Sequence, residues 1–199
     1  TNTINDVIKL KPSQIQTMYV HYKPGTRKYM IKMVRNEPML DFYDRKAVFQ
    51  KASELLIDSG YNRAGFESYS LPNDPLSISM KNKKAVYNSL GTQKGEATNF
   101  IAVGSSAHGV LNDDFYFQNY YEQNLYRKSL EENRLPIYRG LRLSKDDAIR
   151  RDIIRHIRTF FNVEFKYFEE KYKESFKNYF QEEIFKLKSY ENDGLLKLS

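Results

Sequence analysis

Cysteine is absent from this 199-residue sequence. That absence excludes thiolate zinc sites, cysteine nucleophiles and cysteine-held iron–sulfur clusters within the chain, and it fits a reducing compartment. No apolar run approaches the ~18 uninterrupted residues of a membrane span. The opening residues, TNTINDVIKL, lack the basic and then apolar layout of a signal peptide. A cytoplasmic protein with no membrane span is the expectation. Glycine-rich phosphate loops, GxSxG elbows and HxxxH spacings are missing too, and the three histidines, His21, His108 and His156, stand far apart. There is no internal repeat and no low-complexity segment.

What is present can fold. Apolar residues make up 40% of the chain, sufficient to bury a core. A net charge of +7 invites a nucleic-acid reading, which needs a basic stripe with aromatics placed for stacking. Here the cations interleave with acids, as in FKYFEEKYKESFKNYFQEEIFKLK, where aromatics recur at helical spacing and charges fall between them. That pattern reads as a solvated helix pair with an aromatic core face, and no nucleic-acid partner is expected.

The periodicity changes along the chain. Ile15 to Tyr22 (IQTMYVHY) reads as a strand, and Pro24 to Thr26 turns the chain. Asp41 to Ser59 places Ala47, Phe49, Ala52, Leu55 and Leu56 near one helical face, with Gly60 as the stop. A short segment, Tyr61 to Tyr69, and a Leu-Pro-Asn-Asp turn lead towards a second strand at Phe100 to Val103. Strand, helix, strand is the grammar of an α/β layer with parallel strands. After Asn119 the pattern is nearly all helix: Tyr120 to Glu131, then a helix capped by Ser144 with Asp146 and Asp147 in its first turn, then Val163 to Tyr190 in two pieces. Asp193-Gly194 breaks the last helix, and LLKLS reads as a strand. The fold class is therefore α/β plus α, divided into residues 1–119 and 120–199.

The stretch FIAVGSSAHGVLNDDFYFQN, Phe100 to Asn119, runs from an apolar strand into Gly104, two serines and His108. Gly104-Ser105-Ser106 has the form of a nucleophile turn, but a strand followed by Gly-Ser-Ser is too common to specify a serine hydrolase. His156 sits in a helix between Arg155 and Arg158, and a structural or exposed role is the simpler reading.

The ordered series PGT (24–26), SGY (59–61), GFESYSLPND (65–74), VGSSAHG (103–109), FYFQN (115–119), YRGLRLSKDDAIRRDII (138–154) and NDGLLKLS resembles the rear half of the oxygen-independent coproporphyrinogen III oxidases, of the radical S-adenosylmethionine superfamily. The resemblance implies the last strands and helices of a partial (β/α) barrel, followed by a mainly helical C-terminal domain. It also implies an activity: oxidative decarboxylation of porphyrinogen propionates to vinyls, in heme biosynthesis. The cofactors so implied are S-adenosylmethionine and a [4Fe–4S] cluster held by a CxxxCxxC loop, which this chain lacks; alone it should be inactive. A missing N-terminal half, a tetrapyrrole substrate and self-association through open barrel edges are the partners so implied.

By the same resemblance the backbone at Val20 or His21 lies against S-adenosylmethionine, two side chains that touch a second one fall on Ser89 and His108, and Ala107 is a further cofactor-binding position. Ser89 and His108 replace an aromatic and an aliphatic residue of the oxidases. His108 is similar instead to the sister family of heme-binding chaperones, although KKAVYNSL stands where that family has HNxxYW. Tyr87 and Asn88 are shared with anaerobic heme-degrading methyltransferases. A heme or tetrapyrrole carrier is thus the alternative, with His108 facing the ligand; in the plainer reading Ser105, Ser106 and His108 merely cap the next segment. Arg139, Arg150 and Arg151 are the candidates for substrate carboxylates, because a guanidinium binds a carboxylate bidentately. Arg150 and Arg151 diverge by ~100° on one helix, so at most one of the pair is expected to reach a pocket while the other meets an acid.

Overall fold

The computed structural model describes residues 2–19, 22, 25, 29–34, 39–88, 91–95 and 99–198. Along the chain run α1 (Asn2–Leu10), β1 (Gln14–Gln16), α2 (Tyr29–Met33), α3 (Phe42–Asp58), β2 (Asn62–Ala64), β3 (Ser68–Ser70), α4 (Pro75–Lys81), β4 (Val86–Asn88), β5 (Gly91–Gln93), β6 (His108–Leu111) and β7 (Phe115–Asn119). Next come α5 (Gln123–Glu131), β8 (Ile137–Arg142), α6 (Lys145–Phe160), α7 (Phe165–Tyr172), α8 (Phe176–Tyr179) and α9 (Gln181–Asn192).

The helix ends lie where local chemistry puts them. Asp41 caps α3 by accepting from the Asp44 amide at 2.8 Å, and Gly60, at φ +92°, follows its last turn. Asp74 accepts from the Leu76 amide ahead of Pro75, which opens α4. Ser144 and Asp147 form a reciprocal capping box on α6. The expected strand over LLKLS does not form, since residues 195–198 carry no strand.

The mixed helix and sheet content agrees with the expectation, but the strand pairing does not. Among the described residues every pairing is antiparallel, in sheets ordered β1-β3-β2, β4-β5 and β6-β7-β8. The connections explain it. Three residues join β6 to β7, with Asn112 and Asp113 at positive φ, whereas parallel neighbours need a crossover of about a dozen or more. Of the run expected as a strand at 15–22, only Ile15 and Gln16 fall in β1; Val20 and His21 lie outside the described residues, as do Pro24 and Thr26 of the expected turn. Phe100 to Val103 pairs through a single bridge, Phe100 to Val110.

Three apolar clusters hold these elements. Leu56, Tyr61 and Tyr69 join α3 to the first sheet, and Ala64, Leu76 and Ala85 join α4 to it. Ile149, Phe168, Phe176 and Phe180 form the aromatic core predicted for the C-terminal helices, with the Phe165 and Phe176 rings stacked at 4.1 Å. Each buried phenylalanine there contributes about 2 kcal/mol. The third sheet takes β6 and β7 from one side of residue 119 and β8 from the other, and α6 packs on β4.

A buried charge network seats α6 on the β6–β7 turn. Asp113 accepts both Nη donors of Arg155, at 2.9 and 2.8 Å, and Arg155 also reaches the Tyr116 hydroxyl at 3.1 Å. Asp152, 5% exposed, receives Arg151, Lys171 and the Tyr172 hydroxyl. Burial pushes the Asp152 carboxyl up, but these donors and cations outweigh it and hold the group below its ordinary value.

Candidate functional site

The Gly104 turn is held by its backbone and by two distant side chains. Asn119 donates from Nδ2 to the carbonyl oxygens of Ala102 and Gly104, and the Tyr126 hydroxyl accepts from the Gly104 amide at 3.0 Å. Backbone bonds from Ser106 to Tyr120 and from Asn119 to Ala107 close the loop. Gly104 and Ser106 both sit at positive φ, +100° and +59°. Among the described residues neither serine hydroxyl has a hydrogen-bond partner, so the serines do not cap the turn.

This clamp delivers Ala107 and His108 to the start of β6. His108 pairs with Gln118 on β7, and Gln118 with Arg139 on β8, so the three lie in one row across the sheet. Directly opposed residues share a face, and the strand spacing puts the Cα atoms of His108 and Arg139 about 10 Å apart. The Gln118 amide is oriented from both sides: it accepts from Arg139 Nε and Nη2 at 2.9 and 2.7 Å, and donates to the Ser106 carbonyl at 3.2 Å. Arg139 lies over the Tyr138 ring at 5.9 Å, and its Nη1 has no partner among the described residues. The exposed His108 imidazole likewise has none. The row thus offers an imidazole and a partly unused guanidinium on one exposed surface, which suits a ligand with carboxylates.

Packing on the other face makes room for this. A Cβ on Gly109 would lie 2.1 Å from the Phe117 ring, and one on Gly140 would lie 2.8 Å from Phe115. Both aromatic rings therefore occupy space that only glycine leaves open.

The other candidates go elsewhere. Arg150 donates to Asp146 at 2.9 Å and Glu183 at 2.7 Å, facing α9 and away from the row. Arg151 is engaged with Asp152 and the Asp113 carbonyl. Both arginines meet acids, within the expectation that at most one of the two reaches a pocket. Val20, His21 and Ser89 lie outside the described residues. His156 is half-buried against the rings of Phe160, Tyr167 and Phe168, and burial lowers its pKa. Sequence reasoning missed Gln118 and Asn119. Their only signal was a place in the FYFQN block, because their partners are 12 to 21 positions away.

No protein-family model matches the chain. The oxygen-independent coproporphyrinogen III oxidase of Helicobacter pylori is 28% identical over 195 residues, covering 98% of this chain and 42% of that protein. The protein of the same description from Pseudomonas aeruginosa is 28% identical over 197 residues, with 98% and 42% covered. Among solved structures, the coproporphyrinogen III oxidase of Escherichia coli, described as a radical SAM enzyme, matches with a TM-score of 0.88 at 24% identity, over 100% of this chain and 45% of that one. The chain spans less than half the length of these relatives, and the resemblance read from the motifs extends over nearly all of it.

Proposed function

We propose that this chain is the C-terminal part of a radical S-adenosylmethionine protein that acts on a tetrapyrrole, by oxidative decarboxylation of propionate side chains as in the oxygen-independent coproporphyrinogen III oxidases. The observation that carries the reading is the match of the whole chain, in sequence and in fold, to one region of those enzymes. In this reading Arg139 meets a substrate carboxylate through its unused Nη1, and Gln118 holds the guanidinium in place. Ala107 and His108 approach the cofactor from the turn that follows the run at 100–103, as the loops after barrel strands do in (β/α) barrels. The open run at 100–103, with Ile101 79% and Val103 85% exposed, is where a further barrel strand or a second copy would pair.

The [4Fe–4S] cluster of such a protein, which supplies the electron for radical generation, needs thiolates. This chain has no cysteine, and no cluster of three or more potential metal ligands occurs among the described residues. The residues here do not fit the cluster, and no step is routed through it. Among the described residues no helix is long and apolar enough to cross a membrane.

The test is anaerobic turnover of the intact protein with S-adenosylmethionine, a reductant and coproporphyrinogen III, followed by mass spectrometry of the products. Vinyl formation is expected, with a KM for the tetrapyrrole raised about tenfold in Arg139→Gln. No vinyl product and no S-adenosylmethionine cleavage would overturn the reading. A second reading, a heme or tetrapyrrole carrier, is favoured by the unpartnered His108 imidazole. Heme binding abolished by His108→Ala, with no vinyl formation, would establish it instead.

A further inference from the structure

A cavity of ≈ 580 Å³ lies between the connection that follows α4 and the facing sides of α6 and α7, and it shares no residue with the His108 row. Its size is that of a small-molecule site. Five cationic side chains line it against three acidic ones, so the cavity is positive. The existing pairs leave part of that charge over. Lys83 meets Glu164, Lys171 meets Asp152 and Arg155 meets Asp113, whereas Lys81 and Lys84 have no acidic partner among the described residues. Lys83, at φ +54°, turns the backbone between those two lysines.

Part of the remaining lining is aromatic. Phe100, Phe160, Tyr167 and His156 all border the space, and the His156 ring lies 5.0 Å from that of Tyr167. Among the described residues the His156 ring packs on three aromatic rings and has no hydrogen-bond partner, and burial, which lowers its pKa from 6.5, keeps the imidazole neutral near pH 7. A neutral imidazole offers one donor and one acceptor. Aromatic walls, an open imidazole and two unmatched ammonium groups together describe the complement of a planar ring that carries negative charge.

We propose that this cavity binds a planar heteroaromatic anion, with Lys81 and Lys84 at its charged groups and His156 hydrogen-bonded to a polar atom of the ligand. The inference does not rest on the function proposed above. Two sources share this chemistry: the carboxylates of a tetrapyrrole and the phosphate of a nucleotide.

Isothermal titration of the intact protein with coproporphyrin III and, separately, with AMP tests the site and distinguishes the sources. Saturable binding of at least one is expected. It should weaken about tenfold or more in the exposed double variant Lys81→Gln/Lys84→Gln, by loss of charge-assisted hydrogen bonds. It should weaken also in His156→Phe, which keeps the ring contacts and removes the nitrogens. Circular dichroism melts check that each variant folds, and the lysine pair, being exposed, keeps the test open if His156→Phe does not. Failure of both ligands to saturate, or binding indifferent to the lysine pair, would overturn the proposal.

Discussion

Asn119 donates its side-chain amide to the carbonyl oxygen of Gly104 at 3.0 Å from a position only 2% exposed. The same nitrogen reaches the Ala102 carbonyl, so one side chain satisfies two acceptors of a loop that makes few ladder bonds of its own. Asn119→Ala removes both bonds and leaves those carbonyls poorly paired. A loss of about 2 kcal/mol in urea unfolding is expected, with faster amide hydrogen exchange at 104–108 than in the parent. Unchanged exchange there would show that the clamp does not hold His108.

Gly109 and Phe117 supply a packing test. Because the Cβ of Gly109→Ala would fall 2.1 Å from the Phe117 ring, the ring must move or the sheet must shift. Overpacking of this kind costs about 1–3 kcal/mol. In the double variant Gly109→Ala/Phe117→Leu the alanine should cost less than it does alone, and a thermodynamic cycle measures that coupling. Strict additivity would count against the contact.

Asp152, only 5% exposed, joins α6 to α7 through Lys171 and Tyr172 and pairs with its neighbour Arg151. Asp152→Asn leaves these donors facing a neutral amide, and a loss of about 3 kcal/mol is expected by chemical denaturation. The folded carboxyl lies below its ordinary value of 3.8. Its stabilisation is therefore complete above the ordinary carboxylate range and is lost as pH falls through it, so the parent should lose more stability than Asp152→Asn on acidification from pH 5 to 3.

His156 predicts a pH dependence in a different window. Burial lowers its pKa from 6.5, Lys171 and Lys83 act in the same direction, and Asp152 and Glu164 oppose them. Below 6.5 the unfolded chain takes up a proton that the folded protein does not, so folded stability falls as pH drops from 7 towards 5.5. Thermal melts across that range should show a shallower slope in His156→Phe than in the parent. Equal slopes would assign the pH dependence to other groups.

Legibility in the sequence followed range. The stop of α3, the Ser144 cap of α6 and the aromatic stripe through Phe168, Phe176 and Phe180 were all readable, because each rests on residues within a few positions or on a helical period. The family resemblance was readable as well, from motif order along the whole chain. Strand direction was not. The runs at 15–22 and 100–103 have the composition of parallel barrel strands, yet composition does not say which neighbour a strand meets: Ile15 meets Tyr69 of β3 and Phe100 meets Val110 of β6, both antiparallel.

By itself, then, the sequence determined the local grammar: where helices begin and end, which faces are apolar, that no thiolate site exists, and which family the motif order resembles. Tertiary structure alone decided the sites. His108 and Arg139 stand 31 positions apart and share a surface only because β7 runs between their strands and Gln118 bridges the gap. Arg150 looked equally suited to a carboxylate until the packing of α9 brought Glu183 to it. His156 read as a structural histidine, and the cavity beside it exists because the turn after α4 and the α6–α7 pair, distant in sequence, close around a common space. The physical reason is the same in each case: capping and periodicity are set by bonds between near neighbours, whereas a site is set by which distant surfaces the burial of the core brings together.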